Sequence, residues 1–315
     1  MSSKRSIRRC GFNNNNCKRS NSAIAQPHSE LRGEDARMAH TAWSDPVNDL
    51  RHALLQNRFR LYCQPIAALF GSVMYPMAEV LVRLSEEEGA LLPPGDFLPL
   101  LEHYGMMPEL DRWVVREALR RRARGCEIAC FSINLSPQTI ADAGFAHFFA
   151  DELDAHGVSA QAIVFEIDER DAASAPSSVR RLCAALGSLG SSIAIDGFGR
   201  GQGKLASLAL PSVQYVKLQA SLTHHLHTDE AALLRMLEIV RVADDLGVSA
   251  IAASVESDEV LARVRAIKVR YAQGFGVCVP QSIDDLAKLP AVRMDERRDN
   301  NRSVNSMQGD ASWVS

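Results

Sequence analysis

Eight polar residues stand in or just after short apolar runs along this chain: Gln64, Glu79, Asn134, Glu166, Asp196, Lys217, Glu256 and Gln273. A charged residue at the end of one buried strand is commonly structural, capping the next helix or pairing locally. A carboxylate, amide or ammonium at the end of nearly every strand is a different matter. A barrel of parallel strands gathers all those ends at one mouth. Burying that many charges without a metal or ligand costs several kcal/mol each. The pattern therefore predicts a polar, metal-capable pocket at the C-terminal face.

The elements that must position these residues follow from the hydrophobic pattern. Ser44-Asp45-Pro46 supplies an N-cap with proline at the first helical position, opening a helix through VNDLRHALLQN. The runs RLYCQPIAAL and YPMAEVLVRL read as strands, followed by helices around DFLPLLEHY and ELDRWVVREALRRRA. Strand and helix then alternate: IACFSINLS, FAHFFADELDAHG, AIVFEIDE, VRRLCAALGSLG, SIAIDGF, VQYVKLQ, EAALLRMLEIVRVADDLG, VSAIAASVE, SDEVLARVRAI and RYAQGFGVCVP. Eight strand candidates in this alternation argue for a mainly parallel sheet covered by helices. The stretch 44–290, about 250 residues without a Gly/Ser/Pro linker, has the size of one (β/α)8 barrel.

Composition narrows the class. Of 315 residues, 46% are hydrophobic and 23% charged, an ordinary globular balance. A net charge of -3 argues against a generally basic nucleic-acid binder, so no nucleic-acid partner is expected. No apolar run is long enough for a membrane span. The seven cysteines are odd in number and irregularly spaced, which suits buried thiols in a reducing cytoplasm rather than a disulfide framework. Residues 1–43 are polar and basic, lack a signal-peptide core, and read as a disordered segment, as does the tail 291–315. His224-His225-Leu226-His227 reads as a solvated loop, Trp43 and Trp113 as packing anchors, and Arg120-Arg121-Arg122-Ala123-Arg124 as a helix end complementing the dipole.

The same residues resemble a known family, the bacterial EAL domain, the cyclic di-GMP phosphodiesterase fold. The resemblance rests on Gln64-Pro65-Ile66, the signature segment Glu79-Val80-Leu81-Val82-Arg83 and Asn134-Leu135-Ser136. Phe165-Glu166-Ile167-Asp168-Glu169, Ile195-Asp196-Gly197-Phe198-Gly199, Val216-Lys217-Leu218, Val255-Glu256 and Gln273-Gly274-Phe275 follow in family order. It implies a TIM-like barrel whose first strand runs antiparallel. In active members two divalent cations activate a water that cleaves cyclic di-GMP to linear pGpG. Carried over, Glu79, Asn134, Glu166 and Asp196 match the ligands of the first metal, an oxygen-only set of the kind Mg²⁺ or Mn²⁺ prefers. Lys217 matches the lysine holding the nucleophilic water, Glu169 the glutamate steadying the loop after the fifth strand, and Gln273 and Glu256 supporting residues. Gln64 matches a guanine-facing residue, Leu81 the floor, Arg83 a phosphate contact and Pro280 the pocket wall.

Departures from the family pattern decide the functional expectation. The second of two consecutive aspartates is Gly197, the aspartate two past the lysine is Gln219, and the first glutamate of Ala-Glu-Gly-Val-Glu is Ala253. The run 199–204, Gly-Arg-Gly-Gln-Gly-Lys, replaces Gly-Thr-Gly-Tyr-Ser-Ser in a loop that couples dimerisation to catalysis in the family. Three retained carboxylates hold one dication; a second would lack its ligands and face Lys217 and the first metal. Loss of general-base assistance alone is worth roughly 10²–10⁴ in rate. The expectation is a catalytically silent cytoplasmic receptor for cyclic di-GMP, with one Mg²⁺ or Mn²⁺ at most and a protein partner; a homodimer as in the family stays open, because the loop that couples dimerisation is altered. Two alternatives stay open: a protein-interaction module without nucleotide binding, and a weak metal-dependent phosphodiesterase making pGpG.

Overall fold

A computed structural model describes residues 45–71, 73–85, 90–126, 128–199, 205–226 and 228–286. The segments 1–43 and 291–315, the barrel limits 44 and 290, Trp43 and His227 lie outside the described residues. Helix α1 (Pro46–Leu55) starts as its sequence dictates: the Asp45 side chain accepts from the Asn48 N–H, and Pro46 opens the first turn. Strands β1 (Phe59–Ala68) and β2 (Met77–Ser85) pair antiparallel, from Phe59 opposite Leu84 to Ile66 opposite Met77. The short β3 (Leu91–Leu92) extends the outer part of β2.

From β2 onward the ladder is parallel, through β4 (Cys130–Asn134), β5 (Ile163–Asp168), β6 (Ser192–Phe198), β7 (Val213–Leu218), β8 (Ser249–Ala252) and β9 (Tyr271–Ala272). Strand β9 then pairs antiparallel with β1, which closes eight strands into a barrel with an antiparallel first strand. A final strand, β10 (Gln281–Ser282), pairs antiparallel with Tyr62 and Cys63 on the edge of β1 opposite β2, the edge that β9 also uses. The strand candidates are all present. The last is much shorter than its apolar run, because after Ala272 the chain leaves the ladder and packs its backbone against Val255 and Glu256.

Six further helices appear where the 3.6-residue period places them: α2 (Pro94–His103), α3 (Met107–Ala123), α5 (Phe145–His156), α7 (Pro176–Leu189), α9 (Glu230–Asp245) and α10 (Asp258–Ala266). Four short ones are too brief for a periodic signal: α4 (Pro137–Ala141), α6 (Glu169–Ser174), α8 (Ala220–His224) and α11 (Ile283–Leu286). The helices cover the outward strand faces. Phe59 sits edge-on to Phe97 at 5.5 Å and against Trp113 at 5.7 Å, so Trp113 is a packing anchor. Phe149 meets Phe165 at 5.0 Å across the α5–β5 contact. Each such buried aromatic contributes about 2–3 kcal/mol of transfer free energy. Cys63, Cys126 and Cys183 are buried thiols, and Cys130 and Cys278 are half-buried. No described helix is long and apolar enough to cross a membrane.

Candidate active site

Period-two alternation determines which side chains enter the barrel. On β1 the outward positions Phe59, Leu61 and Cys63 are buried under helices, so Arg60, Tyr62, Gln64 and Ile66 share the inner face. The register then assigns every other strand. Gln64 lies opposite Glu79, Glu79 beside Ser132, Asn134 beside Glu166, and Asp168 beside Asp196. Ala194 lies beside Tyr215, putting Lys217 inward, and Lys217 lies beside Ile251. The interior thus has two tiers. The lower is an apolar plug of Ile66, Met77 and Ile251 with Cys130, Tyr215 and Tyr271. The upper, at the mouth, carries the polar residues.

Lys217 is the centre of that upper tier. Its Nζ lies 2.7 Å from Glu166 Oε2, 3.0 Å from Glu79 Oε2 and 3.7 Å from Asp196 Oδ1. The Lys217 side chain is 4% exposed and that of Glu166 is fully buried, whereas Asp196 is 33% exposed and faces the opening. Asn134 Nδ2 donates to Glu79 Oε1 at 2.8 Å, and Gln273 Nε2 donates to Glu79 Oε2 at 2.6 Å. The Ser132 hydroxyl donates to Glu166 Oε1. Ser132 was not singled out from sequence; its place two residues before Asn134 on a period-two strand was the available signal.

The electrostatics follow from this packing. Burial works against the Lys217 ammonium, but Asp196, Glu166 and Glu79 together outweigh it and hold the group well above the usual lysine range. Burial likewise opposes the Glu79 carboxylate, yet Lys217 and hydrogen bonds from Gln273 and Asn134 bring it below its ordinary value. Glu166 is pushed up to about 8, first by burial and then by the charge of Glu79, with Lys217 only partly compensating. Three carboxylates against one ammonium leave two negative charges uncompensated when all are ionised.

That surplus and the all-oxygen donor set of Glu79, Asn134, Glu166 and Asp196 fit one hard divalent cation. A buried Gln273 Oε1 that accepts no hydrogen bond adds a further unsatisfied oxygen beside Glu79. Among the described residues, no three His, Cys, Asp or Glu groups stand as a preformed ion cage. The carboxylates converge on the Lys217 ammonium instead. Gly197 sits in a bulge of β6 between Ile195 and Phe198 with φ +67°, a conformation glycine adopts without strain. Ala253 lies just beyond β8, two residues after inward Ile251. Neither position brings a carboxylate.

Above the mouth, β1 and β2 continue as a two-stranded lip. Its inner face carries Gln64, Tyr62 and Arg60 on one strand and Glu79, Leu81 and Arg83 on the other. Gln64 Nε2 donates to the Cys278 carbonyl at 3.1 Å, and Gln64 Oε1 accepts from Gln273 at 3.2 Å. Gln273 therefore ties the lip to Glu79. Arg83 donates to the Val82 carbonyl at 2.8 Å and lies 5.6 Å over the Tyr62 ring. Leu81 and Pro280 are half-buried, Pro280 directly before β10. Glu169 Oε2 accepts from the Gly199 N–H at 3.1 Å, while its buried Oε1 has no partner. Glu256 departs from the cluster: its side chain is 60% exposed and faces His224 Nε2 at 3.7 Å.

Comparison with known proteins agrees with this architecture. The family model of the EAL domain matches residues 47–280. The chain is 29% identical over 251 residues to cyclic di-GMP phosphodiesterase PdeB of Shewanella oneidensis, covering 79% of this chain and 29% of that protein. Identity to cyclic di-GMP phosphodiesterase PdeF of Escherichia coli is 28% over 251 residues, 78% of this chain and 33% of that one. The chain thus spans about a third of the length of these curated relatives. Among solved structures, the FimX EAL domain of Pseudomonas aeruginosa bound to c-di-GMP has a TM-score of 0.72 at 28% identity, covering 76% of this chain and 97% of that chain. The PaMucR phosphodiesterase in complex with c-di-GMP has a TM-score of 0.70 at 25% identity, covering 76% of this chain and 99% of that chain. With the family matched over most of the described barrel, and the inward polar tier formed at its mouth, this chain belongs to the EAL domain family.

Proposed function

We propose that this chain is a catalytically silent receptor for cyclic di-GMP. The observation that carries the reading is a mouth in which Gly197 and Ala253 bring no carboxylate while Gln64, Leu81 and Arg83 line up on one face beside Glu79. Gln64 offers an amide to the edge of a guanine, Leu81 an apolar floor and Pro280 a wall. Arg83 offers a planar fork that donates charge-assisted hydrogen bonds to a phosphodiester. Gln273 fixes Gln64 relative to Glu79, so the lip and the acidic tier keep one geometry.

Glu79, Asn134, Glu166 and Asp196 would hold one Mg²⁺ or Mn²⁺, which when bound supplies Lewis-acid polarisation of a phosphoryl oxygen. Lys217 would orient a water from within the same cluster, and Glu169 steadies the β6 end through Gly199. A second dication has no carboxylates of its own here. It would also face Lys217 and the first ion, a like-charge contact worth about 4 kcal/mol at 4 Å and an effective dielectric of 20. Glu256, turned toward His224, does not stand in for the missing base.

Equilibrium dialysis of labelled cyclic di-GMP, run with Mn²⁺ and with chelator and followed by recovery of the nucleotide, tests the reading. Binding with intact nucleotide in both arms is the expected result. Intact nucleotide without binding would leave the barrel as a protein-interaction module, and pGpG formed only with Mn²⁺ would make it a weak phosphodiesterase.

A further inference from the structure

The register of the lip sets Arg60 directly opposite Arg83 on the inner face, four residues from the Gln64–Glu79 pair, toward the start of β1 and the end of β2. Directly opposed residues of an antiparallel pair hold their Cβ atoms about 4.5–5.5 Å apart, and like charges there oppose pairing. Neither arginine has a carboxylate within ion-pair distance among the described residues. Arg83 donates to the Val82 carbonyl, and Arg60 donates through Nη1 to the carbonyls of Asn57 and Phe59, leaving most of each fork unused. A cavity of about 230 Å³ beside Arg60 does contain the acids Glu117 and Asp284. Each is already matched, Glu117 by Arg120 at 2.6 Å and Asp284 by Arg121 at 3.1 Å. Arg60 is the surplus cation of that neighbourhood. Glu86, Glu87 and Glu88 follow β2 in sequence and lie outside the described residues.

We propose that Arg60 and Arg83 form a two-arginine clamp that grips one phosphodiester of a cyclic dinucleotide. The inference rests on the receptor reading and assigns to it a ligand contact, Arg60, that the resemblance does not supply. An anion bridging the two guanidinia removes their mutual repulsion and gains charge-assisted hydrogen bonds from both. Tyr62 supports the Arg83 fork, which lies over its ring.

The test is titration of the full chain with cyclic di-GMP at low and high salt for wild type, Arg60→Ala, Arg60→Lys and Arg241→Ala, each also melted thermally. Arg241 is an exposed arginine on α9 that controls for loss of one positive charge. The clamp requires Arg60→Ala to bind at least tenfold more weakly, with a shallower salt dependence and an unchanged melting temperature. Arg60→Lys should recover part of the affinity, and Arg241→Ala should match wild type. Unchanged affinity in Arg60→Ala, or a loss equal to that of Arg241→Ala, overturns the clamp alone. A loss accompanied by a lower melting temperature and not recovered by lysine makes Arg60 structural and also overturns it. No binding by wild type overturns the receptor reading together with the clamp.

Discussion

Replacing Lys217 with methionine removes the ammonium on which Glu79, Glu166 and Asp196 converge while keeping much of the apolar stem. At the observed separations of 2.7, 3.0 and 3.7 Å, each attraction is worth about 4–6 kcal/mol gross at an effective dielectric of 20. Most of that offsets desolvation, and Asp196, a third exposed, is further screened by water. Removing one partner of a buried ion pair typically costs 3–5 kcal/mol, and about 3 kcal/mol is the expectation here because Glu166 can relieve the repulsion by holding its proton. For a domain of this size that corresponds to a melting temperature about 6–12 °C lower. The sign of the pH dependence follows from Glu166. Its folded value, pushed up to about 8, lies above the unfolded value near 4.5, so its contribution to stability is fully present below the unfolded value and is lost as pH rises toward 8. Without the ammonium that window widens, so the deficit of Lys217→Met should be small near about pH 5 and full near about pH 8. Thermal and urea unfolding at both pH values reads this directly. A variant that melts with wild type at the higher pH would refute the claim that the acidic tier depends on an internal counter-ion.

Restoring both missing carboxylates, Gly197→Asp with Ala253→Glu, is expected to raise Mn²⁺-dependent pGpG formation above the wild-type background, read by chromatography of the nucleotide. The aspartate must accept the φ of +67° at position 197, a penalty of about 1–2 kcal/mol in stability. Asp111→Ala should lower stability by about 2–3 kcal/mol in urea, because Oδ2 accepts from the Ser136 N–H, the Ser136 hydroxyl and the Thr139 hydroxyl in the buried start of α4. Asp111→Asn should lose less. Gly274→Ala should abolish nucleotide binding or folding, since a Cβ there would stand 2.2 Å from the Val255 carbonyl oxygen, measured by dialysis and circular dichroism. Ser132→Ala should weaken cyclic di-GMP binding less than Arg83→Ala, because Ser132 touches only Glu166 on the lip-distal side of the cluster.

The barrel was legible because its signals are repetitive. Eight apolar runs, each with a polar group in it or just after it, carry the strand count and the location of the mouth, although Gln64 and Glu79 lie inside β1 and β2 rather than at their ends. Helices such as α3 and α9 announce themselves by period and length. Short helices such as α6 and α8 were not legible, since five or six residues hold no period. The membership of the cluster, Glu79, Asn134, Glu166, Asp196 and Lys217, was legible from strand ends and resemblance. Its organisation around one ammonium was not, because partners 51 and 138 residues apart meet only through register. Arg60 escaped notice for a similar reason. An exposed arginine two positions from a tyrosine reads as solvated surface until the antiparallel pairing sets it against Arg83. Glu256 shows the converse, a residue placed in the site by sequence whose side chain turns to His224.

The antiparallel closure of β1 also governs when a binding pocket comes into being. Gln64 reaches across 209 residues to Gln273 and 214 to the Cys278 carbonyl, so the lip is stitched by some of the longest-range contacts in the chain. Contacts of such sequence separation are slow to form during folding and have no meaning in a partly synthesised chain. A ribosome that has released only the strands through β8 would present the whole acidic tier from Glu79 to Lys217 without the amide that anchors Gln64. On the receptor reading, ligand recognition is thereby a late event, and nucleotide binding would serve as a stringent reporter of completed barrel closure.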